Sequence, residues 1–177
     1  MNTRVRTLGF TLLELLIVIA IIGILASVIL VSLNSARQKG KDSHIFNSIN
    51  QLRLQIESDA TTNYNNVFIG SGSSITALGN ANPNYNTLFA DIHNNTTATT
   101  SSTTLVAGST VPGSPELIVV YPTGIQVTGG VISNATPIIS YALYGKESTG
   151  NMYFCIDSKG NSVETDLTYS PVTITCQ

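Results

Sequence analysis

From Phe10 to Leu33 nearly every residue is apolar, and Glu14 is the only charge in the run. As a helix rising ~1.5 Å per residue, that run is roughly 36 Å long, enough to cross a hydrocarbon core of about 30 Å. A carboxylate inside such a segment is expensive, costing about 2.5–3.5 kcal/mol at a helix centre on insertion scales. Glu14 is therefore a functional candidate before anything else in the chain is read.

The run opens with Leu8-Gly9-Phe10-Thr11-Leu12-Leu13-Glu14-Leu15, behind a short stretch, Met1 to Gly9, that carries Arg4 and Arg6. A short basic leader, then Gly, then Phe, then Thr-Leu-x-Glu-Leu, then an apolar helix: this pattern resembles the N-terminus of type IV prepilins and type II secretion pseudopilins. It agrees at every motif position and covers roughly the first third of the chain. An ordinary secretory signal would be cleaved after the apolar run, near Ser35-Ala36. The run is longer than the 7–15 residues of a typical signal core, and Gly9-Phe10 with Glu14 has no role there.

The resemblance implies removal of the leader after Gly9, N-methylation of Phe10 and a place for Glu14 as fifth residue of the mature chain. Gly9, lacking a side chain, would let the peptidase reach the scissile bond. In a filament, the Glu14 carboxylate of one subunit would pair with the Phe10 amine of its neighbour. Opposite charges 4 Å apart interact by about 4 kcal/mol at an effective dielectric of 20. One of them left buried and unpaired is strongly unfavourable, so the pair would help to set axial register. The implied partners are other pilins in a homo- or hetero-oligomeric filament, the prepilin peptidase and methyltransferase, an inner-membrane assembly platform, and membrane lipid before assembly. Gly23 and Ala26 are small enough for close helix approach in the filament core, with an accident of packing as the equal alternative.

Charge alone leaves orientation open, because Arg4 and Arg6 flank one end of the run and Arg37, Lys39 and Lys41 the other. The resemblance and the polar C-terminal part both imply a single-pass protein with N-terminus inside and C-terminus outside. After assembly it would lie in an extracellular pilus or a periplasmic or surface pseudopilus.

The chain has 177 residues, room for one domain beyond the N-terminal segment. Only 10 % are charged, and Thr, Ser and Asn supply the polarity instead, as suits an exported protein. Beyond Ala60 the basic residues are Lys146 and Lys159 alone, against Asp91, Glu116, Glu147, Asp157, Glu164 and Asp166. No basic stripe exists there, so direct nucleic-acid binding is not expected. His44 and His93 are solitary, and the sequence has no HExxH motif, phosphate loop or nucleophile elbow. The reading is a non-enzyme with no cofactor.

Cys155 and Cys176 are the two cysteines. In an exported chain an isolated pair most often forms one disulfide, with two buried thiols as the alternative. Neither has a close cysteine or histidine neighbour, so no metal site is expected. Asp157-Ser158-Lys159-Gly160-Asn161 has the composition of a β-turn and lacks the oxygen spacing of calcium loops.

Past Leu33 the helical pattern continues. Ile45, Ile49, Leu52 and Ile56 form one stripe, and no proline interrupts from Phe10 to Asp59, so a single helix of ~74 Å is allowed. Bending or fraying is expected around Gly40, in the polar stretch Arg37–Lys41. A short helix is expected within Asn84–Asn94. Asn94–Thr104, nearly all Asn, Thr and Ser, reads as an exposed loop; its sequons at Asn94 and Asn95, like that at Asn134, are read as solvated loop.

The last part reads as strands: Leu117–Tyr121, Gly124–Ser133, Pro137–Tyr144, Asn151–Asp157, Ser162–Thr165 and Val172–Cys176. Gly145–Gly150 and Ser158–Asn161 are turns. This is an antiparallel meander whose apolar face needs the Ile45–Ile56 stripe. A Cys155–Cys176 bond would then resemble the disulfide-bounded C-terminal loop of many pilins.

The expected fold is thus α+β and pilin-like: a leader over 1–9, a long helix over 10–59 and a head over 60–177. Within the helix, 10–33 is the membrane or filament-core part and 34–59 the amphipathic part. The expected function is a structural subunit of a pilus or pseudopilus. The competing reading is an unprocessed, membrane-anchored extracellular binding module, adhesin-like, with the Thr/Ser/Asn loops as its recognition surface. An exported enzyme is the third.

Overall fold

The computed structural model describes residues 9–60, 64, 67, 83–98, 103–106, 108–111, 113–122, 127–128, 131–132, 138–167 and 171–176. The chain divides into two compact units, Met1–Arg37 and Gln38–Gln177. Helix α1 (Leu12–Asp59) contributes its first part to one and the remainder to the other. Helical structure carries on through Gly40, where fraying was expected. On either side of it the helix is tied down: Ser148 N–H donates to Asp42 Oδ1 at 2.8 Å, and Ser148 Oγ donates to the Gln38 carbonyl at 3.4 Å.

In the second unit, helix α2 (Pro83–Asn95) falls where its Leu88, Phe89 and Ile92 spacing predicts. The strands are β1 (Thr103–Val106), β2 (Leu117–Tyr121), β3 (Val127–Thr128), β4 (Val131–Ile132), β5 (Ala142–Lys146), β6 (Met152–Asp157) and β7 (Ser162–Asp166). Five of them make one sheet in the order β1-β2-β5-β6-β7. From β2 to β7 every pairing is antiparallel, the expected meander.

The register sorts side chains onto two faces. Val119 sits opposite Leu143, and Leu143 opposite Ile156. These residues, with Leu117, Tyr121 and Phe154, share one core with the α1 stripe Ile45, Ile49, Leu52 and Ile56. All four stripe residues are buried, as their spacing requires. The opposite face carries Ile118, Val120, Ala142, Tyr144, Tyr153 and Cys155, and is covered by Leu167, Val172 and Cys176. Because β2 is buried on both faces, its sequence is a continuous apolar run instead of an alternating one.

Four expectations are corrected. Thr103 and Thr104 are not loop but the start of β1, which pairs parallel with β2, while Asn94 and Asn95 end α2. The low apolar content of that tract weighed burial alone, whereas β-branched threonine suits a ladder whose backbone bonds are met by β2. Of the strand expected over Gly124–Ser133 only 127–128 and 131–132 lie within the described residues; there β3 and β4 pair with each other and not with the main sheet. The strand expected over Pro137–Tyr144 begins only at Ala142 and runs on to Lys146, which moves the hairpin loop to 147–151 with Gly150 at φ 75°.

Val172–Cys176 forms no strand. Its backbone is met by other groups: Val172 N–H donates to the Ser109 carbonyl at 3.1 Å, and Tyr144 Oη donates to the Thr173 carbonyl at 2.8 Å. The need for backbone partners is satisfied without a ladder.

Candidate functional site

Gly9, Phe10 and Thr11 precede the first turn of α1, and Phe10 is 83 % exposed. Thr11 and Glu14 form a reciprocal capping box. The Thr11 N–H and Oγ–H both donate to Glu14 Oε2 at 2.9 Å, and the Glu14 N–H donates back to Thr11 Oγ at 3.2 Å. The arrangement meets otherwise orphaned donors at the helix start and places a carboxylate where the helix dipole favours negative charge. Both Thr11 donors reach the same oxygen; among the described residues no hydrogen bond reaches Glu14 Oε1. The sequence motif marked Glu14 but not this partnership, although Thr11-x-x-Glu14 is itself a capping signature.

Beyond Glu14 the helix is apolar on all sides, and Leu15, Ile19, Ile22, Leu25, Ile29 and Leu33 are all exposed. Ser27, a polar exception, satisfies its hydroxyl by donating to the Ile24 carbonyl at 2.7 Å. A Cβ built at Gly23 would meet nothing within 4 Å, so any close approach there involves another molecule. A helix with no hydrophilic face needs lipid or other apolar helices around it. It is also long and apolar enough to cross a membrane.

At the other end of the chain, Cys155 and Cys176 are disulfide-bonded, with Cα atoms 5.7 Å apart. Beside them Asp157 organises the β6–β7 turn. Its Oδ1 accepts from the N–H groups of Lys159 at 3.0 Å and Asn161 at 2.9 Å, and its Oδ2 from Asn161 Nδ2 at 2.9 Å. The Cys176 N–H adds a longer bond at 3.4 Å. Gly160 takes φ 88° to close the turn. Burial pushes the Asp157 carboxyl up, but the bonds from Asn161, Cys176 and Lys159 outweigh it and hold the group below the usual carboxylate range. Among the described residues the donors to this carboxylate are N–H groups that close the turn.

Each of the two histidines lies beside a carboxylate. His93 Nδ1 lies 2.6 Å from Glu116, linking the end of α2 to the start of β2, and His44 Nδ1 is 4.0 Å from Asp91. Asp91 also accepts from the buried Ser48 hydroxyl, tying α2 to α1. The Glu57 carboxylate accepts from Tyr141 at 2.9 Å and Tyr64 at 3.0 Å, and Asp59 accepts from Tyr85 at 2.6 Å. Helical periodicity does not reveal these polar ties, which depend on pairing between distant segments. Among the described residues no group of three or more His, Cys, Asp or Glu is placed to hold a metal ion.

Residues 4–30 match the prokaryotic N-terminal methylation motif, the signature of type IV pilins and pseudopilins. With its long apolar helix and antiparallel sheet, the chain has the layout of a type IV pilin-like or pseudopilin precursor, anchored in a membrane before assembly. The motif's family is structural rather than enzymatic. No curated protein and no solved structure matches the chain.

Proposed function

We propose that the chain is a structural subunit of a type IV pilus or a type II secretion-type pseudopilus. Prepilin peptidase cleaves after Gly9, the new Phe10 amine is methylated, and the subunit, held N-inside and C-outside, leaves the bilayer to join a filament. There its apolar helix exchanges lipid for the helices of neighbouring pilins. The single observation that carries this reading is Glu14, a carboxylate at the motif position on a helix start that is otherwise exposed and apolar. Its Oε2 is held by Thr11 while Oε1 has no hydrogen-bond partner among the described residues, so an incoming Phe10 ammonium can bind without dismantling the cap.

Replacing one partner of a buried pair leaves the other charge uncompensated, at a cost of about 3–5 kcal/mol. Glu14→Ala should therefore stay in the membrane fraction while its incorporation into sheared filaments falls at least about tenfold. Filament yield equal to that of the unmodified protein would remove Glu14 from the assembly mechanism.

A further inference from the structure

Within the Gln38–Gln177 unit a groove of about 580 Å³ opens between α1 and the β7 edge of the sheet. Phe46, Phe154 and Val163 line it, and the two rings meet edge to face with centroids 5.6 Å apart. Two carboxylates share that lining, Asp42 from α1 and Glu164 from β7. Asp42 accepts one backbone N–H, from Ser148, and Glu164 is exposed on the edge strand. Glu147, outside the lining, feels both carboxylates: burial, then the charges of Glu164 and Asp42, push its carboxyl up, and its Oε1 is buried without a hydrogen-bond partner among the described residues. The neighbouring cation, Lys146, acts on Glu147 but does not line the groove. Its ammonium donates to the Gly150 carbonyl and lies 5.3 Å from the Tyr153 ring centroid. Among the described residues no ion pair reaches Asp42, Glu147 or Glu164.

An apolar trough bearing uncompensated carboxylates fits a lysine side chain, whose methylene stem covers apolar surface while its ammonium reaches the anions. The chain carries such groups itself. Lys39 and Lys41 are exposed on α1, next to Asp42 in sequence, and neither forms an ion pair among the described residues. We infer that the groove formed by Asp42, Phe46, Phe154 and Glu164 is an interface between copies of this chain, receiving Lys39 or Lys41 of a second subunit. The lysines of one subunit thereby meet the groove carboxylates of another. The inference rests on the filament reading and adds to it an electrostatic lock outside the apolar helix.

The test is a charge swap in the full chain. Glu164→Lys places a like charge opposite the incoming lysine on an exposed edge strand, where the core is untouched. Filament yield should fall about tenfold, as expected for a juxtaposed like charge, while cleavage to Phe10 is retained. Adding Lys39→Gln with Lys41→Gln to that variant should remove the repulsion and recover part of the yield, without setting new carboxylates against Asp42. Unchanged yield for Glu164→Lys would overturn the groove as an interface. A drop that the neutralised lysines do not repair would overturn the second copy as its occupant and point to another cationic protein. Failure of the unmodified chain to be cleaved at Gly9-Phe10 and to form filaments would instead sink the filament reading, and the groove inference with it.

Discussion

Gly145 on β5 lies directly under Ile49 of α1: a Cβ at position 145 would sit 2.0 Å from Ile49 Cδ1 and 2.8 Å from its Cγ1. The helix and sheet approach this closely because Gly145 presents no side chain to the shared core. Ile45 Cγ2, 3.3 Å from the same point, leaves little room for Ile49 to turn away. Gly145→Ala should destabilise the protein by about 1–3 kcal/mol through overpacking. Chemical denaturation of the full chain in detergent micelles would show this as a lower midpoint with an unchanged slope. An unaltered midpoint would mean that α1 and β5 are not in this contact.

The disulfide closes a loop between residues 21 apart in sequence. On the chain-entropy model its removal costs about 3 kcal/mol. The Cys155→Ser and Cys176→Ser double variant should lose about that much stability. Backbone protection from hydrogen exchange should be lost first at 172–176, a segment held by side-chain bonds and by Val172 with 108–109 rather than by a ladder. Processing at Gly9 should be unaffected.

Asp157 and Glu147 give stability opposite dependences on pH. The Asp157 carboxyl is depressed in the folded protein, so its contribution is complete above the ordinary Asp range near 4 and is lost as pH falls through its lower folded value. Glu147 is raised, chiefly by burial, so protonating it relieves the fold as pH drops from neutral towards the ordinary Glu range. Thermal melts should therefore show Asp157→Asn destabilised at pH 7 by about 2 kcal/mol, with the gap to the original protein closing below about pH 4. A gap that persists at low pH would show that the Asp157 charge is not what holds the turn.

Much of this architecture is legible from local pattern. The Ile45–Ile56 stripe, the β-rich final third and the turn at Ser158–Asn161 follow from periodicity and turn composition. The N-terminal segment is legible too, for residues 4–30 match the methylation motif. What stayed hidden depends on partners distant in sequence. Thr103–Val106 becomes a strand only because β2 offers a parallel edge, and Val172–Cys176 avoids one because Tyr144, Ser109 and Asp157 bind its backbone. The groove between Asp42 and Glu164 likewise joins residues that local pattern keeps far apart.

Mass spectrometry of the mature N-terminus, on protein from its native membrane or filament fraction, tests the central claim most directly. A chain beginning at Phe10 with a methyl group on its amine is the expected result. A chain that still begins at Met1 would contradict it and leave a simple membrane-anchored module, with Glu14 carrying no role in assembly.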